Sequence, residues 1–291
     1  MPNLISISDY AAEWAIKDYH VEPRTQAGYL DREEVVAFLG TLEIDGVELS
    51  HGYWADYDIK RLKQLADDAG AVVFSYVGIA DLAVPPPELQ KSVDVVFMLL
   101  DRAAALGARS IFLLPELHKQ DLPLENERAW LIEGLGKVAE RAQAMQLTIL
   151  CENIDYPPMR PLMGRGSQCR DLCATVNSPA FRLIYDAAAP LFVGEDAFQT
   201  LEEMGPYVGH VHVKNFRKLA PGEPADRYLE SDDGSRYTGT TLDAGVISIA
   251  EILQALRKRE YNGTIQIEYQ GVDDPRLALK HNVAYLRNLF R

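Results

Sequence analysis

A chain of 291 residues, 47% hydrophobic and 25% charged, has the ordinary composition of a folded protein and can bury a large core without disulfides. Its 43 acidic residues against 29 basic ones give a net charge of −14, which argues against nucleic acid or an anionic membrane as main partner, because gripping phosphate needs clustered cations. It contains no run of ~18 apolar residues, and its start, MPNLISISDYAAEW, lacks the basic and apolar stretches of a secretion signal, so no membrane span and a cytoplasmic location are expected.

Short apolar runs alternate with helical patterns in chain order. Leu4–Ile7 reads as the first strand, Val35–Leu39 as part of a helix and Gly46–Leu49 as the second strand. A helix over Ile59–Ala69 stops at Gly70, before a strand over Ala71–Tyr76. The helix Leu89–Leu106 stops at Gly107 and leads to the fourth strand, Ser110–Leu114, then to a long helix over Glu125–Met145. Leu147–Cys151, Phe181–Tyr185, Val208–Val213 and Thr264–Glu268 follow as strands five to eight. Their helices are Gly166–Val176, Ala197–Met204, Ile247–Arg259 and Pro275–Phe290.

Eight strand–helix units with no break in composition predict a single α/β domain over residues 1–291, a closed parallel (β/α)₈ barrel. An open doubly wound sheet is the alternative, weakened because no glycine-rich phosphate fingerprint follows an early strand. The one long connection, Asn215–Ala244, is expected to cover the pocket and to change order when substrate binds. Cys151, Cys169 and Cys173 form no complete disulfide framework, which fits a reducing compartment, and Cys169 and Cys173 read as packed thiols rather than as a metal site.

In such a barrel the chemistry sits at the C-terminal ends of the strands. There the sequence places Glu152 (ILCENID), Asp186 (LIYDAAA), His212 (GHVHVKN) and Glu268 (IQIEYQ). Any one of them alone is an ordinary helix cap or ion-pair partner. Together they bring three carboxylates and an imidazole to one mouth, where a divalent cation would remove their mutual repulsion. Oxygen-rich donors with one imidazole favour Mn²⁺, Mg²⁺ or Co²⁺, with Zn²⁺ also within range. His210, His212 and Lys214 share a strand face, with His210 a layer deeper and Lys214 nearer the mouth, either at the substrate or simply in water. Glu48 and His51 follow the second strand, and Glu116 and His118 the fourth.

The Glu, Asp, His, Glu succession, HVHVKN on strand seven and the ending DAGVISIAEILQALRKREYNGTIQIEYQ resemble the xylose-isomerase-like TIM barrels. This group holds sugar and sugar phosphate isomerases and epimerases, together with cyclitol dehydratases and apurinic endonucleases. The resemblance covers most of the chain and is best from Leu147 to Gln270. It implies one divalent metal held by Glu152, Asp186, His212 and Glu268, with Glu152 and Glu268 also moving the proton, as in the ketose epimerases. Ala189 stands where many members carry a histidine, the endonuclease zinc cluster lacks its further histidines, and DYPPMR offers no counterpart to a second pocket glutamate. The expected enzyme is a metal-dependent isomerase or epimerase of a polyhydroxylated carbonyl compound, with a dehydratase of a keto-cyclitol as alternative and a non-catalytic sugar-binding barrel behind both. Lys214, Arg217 and His118 are its expected substrate contacts, its partner a small carbohydrate-like molecule, and a homo-oligomer is compatible with it.

Overall fold

Alternation along each apolar run sends one set of side chains toward the helices and the other into the barrel, and this parity builds the fold. The computed structural model describes residues 3–15, 30–116, 119, 121–154 and 160–290. The strands are β1 (Leu4–Ser8), β2 (Gly46–Ser50), β3 (Val73–Ile79), β4 (Ser110–Leu114), β5 (Thr148–Glu152), β6 (Phe181–Asp186), β7 (Val208–Val213), β8 (Asn215–Lys218), β9 (Leu229–Glu230), β10 (Arg236–Thr240) and β11 (Thr264–Ile267). Parallel pairing runs β1-β11-β7-β6-β5-β4-β3-β2 and returns to β1, closing the barrel that the eight units predict.

The helices lie on the outside, and their ends follow local chemistry. Asp31 and Glu34 form a reciprocal capping box on the helix Arg32–Gly40. Gly107, at φ 75°, closes the helix Pro86–Leu106 in the left-handed region that glycine tolerates. The expected strand Ala71–Tyr76 starts two residues later than its apolar run, because the Ala71 N–H still bonds to the Ala66 carbonyl and completes the preceding helix end.

Outward-facing Ile5, Ile7, Val47, Leu49, Ile149 and Val211 pack into the main core under the helices. The inside of the barrel is divided. Phe112, Leu150 and Ile184 fill one side with apolar bulk. The other side, built from β1, β2, β7 and β11, buries Ser6, Glu48, His210, His212 and Gln266. A barrel interior is ordinarily filled with branched apolar residues, so this buried polar lining stands out.

The long connection after β7 is a folded unit. β8, β10 and β9 form an antiparallel sheet, with Asn215 opposite Thr240 and Arg236 opposite Glu230. Its Phe216 and Tyr237 pack edge-on against Phe192, with ring centroids 5.0 and 5.8 Å away. Arg227 reaches back to the Tyr10 hydroxyl at 2.6 Å, and Gln270 meets the same oxygen at 3.1 Å. The sheet is thereby tied to the chain just beyond β1 and β11. Cys151, Cys169 and Cys173 are buried free thiols in the packing around β5 and the helix Gly166–Val176. No helix among the described residues is long and apolar enough to cross a membrane.

Candidate metal centre

Strand register sets the site. Ser6 pairs with Gln266, Gln266 with His212, and Asp186 with His212, so these four stand level around the barrel. Glu152 ends β5, and Glu268 follows β11 directly. His212 is fully buried, its ring lying edge-on to Phe112 and His210 at 5.2 and 5.3 Å. Its Nδ1 lies 3.1 Å from Glu152 Oε2 and 3.3 Å from Glu268 Oε1. Its Nε2 faces the Gln266 amide nitrogen at 3.3 Å. That nitrogen also donates to Glu48 Oε1 at 2.6 Å, and the Ser75 hydroxyl donates to the other Glu48 oxygen.

Lys214 answers its own question of place. It is 3% exposed, and its Nζ lies 2.7 Å from Asp186 Oδ2 and 3.1 Å from Glu268 Oε2. It is therefore an internal cation and not a solvated lysine. Asp186 is further held by the Ala188 N–H on Oδ1 at 2.7 Å, while its backbone exchanges two hydrogen bonds with the Asn153 side chain.

The electrostatics follow from burial. Desolvation pushes Glu152 up to about 8 and Glu48 up to about 7. Burial acts on Glu268 in the same sense, but Lys214 and His212 outweigh it and hold this carboxyl below its ordinary value. Burial would lower His212, yet Glu268, Glu152 and Glu48 prevail and raise it to about 9. His210, buried beside His212 without a carboxylate partner in hydrogen-bond contact, falls to about 3 and belongs to the packed layer below. The carboxylates around His212 favour a charged ring, whereas the amide nitrogen at Nε2 suits a neutral one; the two demands meet at Gln266.

The residues present fit a divalent cation. Glu48, Glu152, Asp186 and Glu268 are four buried carboxylates against one ammonium and one imidazole. Donor atoms of Glu48, His212 and Glu268 lie within 4.8 Å of one another.

Of the sequence-derived residues, Glu152, His212, Glu268, Asp186 and Lys214 converge. Arg217 does not join them. β8 turns away into the antiparallel sheet, where Phe216 points inward and Arg217 pairs at the surface with Glu223 at 2.8 Å. His118 and residues 155–159 lie outside the described residues. Glu116 is buried behind the barrel wall, near Glu127 and Asp81 rather than in the cluster. His51 contacts Tyr76 at 2.9 Å. Glu48 proves to be part of the cluster. Gln266 and Asn153 went unread in the sequence. Two-residue alternation along TIQIE, which puts Gln266 on the face of Glu268, was the available signal for the first.

Residues 36–289 match the xylose isomerase-like TIM barrel family. An inosose dehydratase of Clostridium perfringens is 23% identical over 259 residues, 84% of this chain and 84% of that protein. Among solved structures, D-allulose 3-epimerase from Methylomonas sp. superposes with a TM-score of 0.75 at 14% identity, over 99% of this chain and 98% of that one. An L-ribulose 3-epimerase does so with a TM-score of 0.75 at 19% identity, over 99% and 94%. At such identities the structural likeness is one of fold.

Proposed function

This chain belongs to the xylose isomerase-like TIM barrel family, and from that premise we propose a divalent-metal-dependent isomerase or epimerase of a sugar, sugar phosphate or related polyhydroxylated carbonyl compound. The observation that carries the reading is the buried cluster of Glu48, Glu152, Asp186, His212, Lys214 and Glu268, contributed by β2, β5, β6 and the ends of β7 and β11. Glu152, Asp186, His212 and Glu268 would hold the cation. A bound divalent ion supplies Lewis-acid polarisation of a carbonyl and so acidifies the adjacent C–H. Glu152 and Glu268, both at His212 Nδ1, are the groups proposed to take and return the proton. Lys214, held between Asp186 and Glu268, is proposed as a charge-assisted donor to substrate oxygens.

A dehydratase acting on a keto-cyclitol is the second reading. It is favoured by the inosose dehydratase relative, which aligns over 84% of both chains. Both reactions begin with removal of a proton beside a carbonyl. They part afterwards, when a proton returns or a β-hydroxyl leaves.

The deciding experiment incubates the protein with Mn²⁺ and panels of ketoses, sugar phosphates and inososes in deuterated water. Deuterium entering a recovered or epimerised substrate supports the first reading, and loss of water from an inosose supports the second. Mn²⁺ binding without either reaction on any panel leaves a sugar-binding barrel and removes the enzymatic proposal. His212→Ala is expected to abolish cation binding while the barrel stays folded. The three buried thiols sit with a reducing, cytoplasmic setting for this activity.

A further inference from the structure

The geometry points to Gln266 as the positioning residue that decides, by the orientation of its side-chain amide, whether His212 can act as a cation ligand. The inference rests on the metal-dependent reading above. Gln266 is fully buried and stands level with both Ser6 and His212. Its Oε1 accepts from the Ser6 hydroxyl at 2.9 Å, and its Nε2 donates to Glu48 Oε1 at 2.6 Å. The same Nε2 faces His212 Nε2 at 3.3 Å. On the far side of the ring, Nδ1 is the nitrogen presented to Glu152 and Glu268.

An amide can show an imidazole either a donor or an acceptor, and the two choices have opposite consequences. With its nitrogen toward Nε2, that ring atom must offer a lone pair. The ring hydrogen then sits on Nδ1 and is donated to the carboxylates, and no lone pair remains there for a cation. With its oxygen toward Nε2, the amide accepts the Nε2–H, and the Nδ1 lone pair can be directed between Glu152 and Glu268. A ligating histidine is held through its other nitrogen in this second way. The Ser6 hydroxyl serves both orientations, because it donates and accepts. Glu48 in its ionised form does not: as an acceptor at 2.6 Å it favours the first. Gln266 therefore turns when His212 takes a cation, and Glu48, although its donor atom lies within 4.8 Å of those of His212 and Glu268, acts on the site through Gln266.

The test uses the full-length chain, Mn²⁺ titrated by calorimetry, and Zn²⁺ as a diamagnetic probe with ¹⁵N-labelled histidine. Gln266→Met keeps the length and removes both hydrogen-bonding modes; Mn²⁺ affinity is expected to fall about 10- to 100-fold, the scale of losing an outer partner of a metal-bound histidine. Glu48→Gln can partner the amide either way, so its Mn²⁺ affinity is expected to equal or exceed that of the wild type. In the Zn²⁺-loaded wild type, His212 is expected to carry its hydrogen on Nε2 in a hydrogen bond, a signature weakened in Gln266→Met. Equal Mn²⁺ affinity of wild type and Gln266→Met overturns the role of Gln266. A large loss in Glu48→Gln makes Glu48 a direct ligand and overturns the relay. Should Gln266→Met fail to fold, Glu48→Gln and the wild-type spectra decide alone. A wild type that binds neither ion fails one step earlier, at the metal-dependent reading.

Discussion

Lys214 shows how much a single position can carry. Its ammonium lies between two carboxylates in a layer where nothing is more than a few per cent exposed, so it compensates charge that burial makes expensive. Lys214→Met removes the cation and leaves Asp186 and Glu268 facing each other. Breaking a buried pair from one side typically costs ~3–5 kcal/mol, and a loss of that order in thermal unfolding is expected without added metal. Mn²⁺ should then restore a larger share of stability to the variant than to the wild type, since it supplies the missing charge. The mutant should also turn over substrate more slowly by ~2–3 kcal/mol in kcat/KM, the scale of a hydrogen bond to a charged group. Unfolding curves that superpose with and without Mn²⁺ in both proteins would remove Lys214 from the site's electrostatics.

At the scale of elements, legibility tracks regularity. The barrel strands were readable because each is an apolar run of four to seven residues followed by a helix. Strand ends were readable for the same reason: Glu152 and Asp186 are the first charged residues after such runs. Gln266 was not, since an amide between two isoleucines carries no mark beyond its parity. The sheet inside Asn215–Ala244 was hidden because its strands are two to five residues long and rich in polar groups. Contact with Phe192, distant in sequence, holds it in place. Arg217 was misjudged through that same omission, for only the sheet turns it outward. Deleting the segment would strip the cover from Phe192, so a point change probes it better. Gly239 in β10 passes so close to Gln270 and Gly271 that a Cβ would collide with their backbone. Gly239→Ala should cost ~1–3 kcal/mol by overpacking and should loosen the sheet from the end of β11. Gly136→Ala, in the exposed face of the helix Leu124–Ala144 with open space around it, should instead stabilise by up to ~1 kcal/mol. Equal melting temperatures for the two variants would mean that the sheet yields without cost.

The whole molecule responds to pH through groups that only the closed fold creates. Glu116 follows β4 in LLPELHK, where the sequence offers a pocket residue or a helix cap with equal reason. The fold instead buries it completely, and neither carboxyl oxygen has a hydrogen-bond partner among the described residues. Burial, reinforced by Glu127 and Asp81 and only partly offset by Lys119, pushes this carboxyl up to about 9. Its proton is thus held far more tightly in the native chain than at the ordinary value of 4.5. Below that value the group contributes its full stabilisation, because both states are protonated and nothing opposes burial. As pH rises toward 9 the unfolded chain releases the proton and the native chain does not, so stability falls, by at most ~1.4 kcal/mol per pH unit from this one group. Glu116→Gln keeps the shape and cannot ionise. Urea unfolding from pH 5 to pH 9 should therefore show the variant gaining on the wild type at each step, with the two closest at pH 5. A constant difference across that range would mean that Glu116 is already ionised in the native protein and that a cation, not a proton, stands beside it.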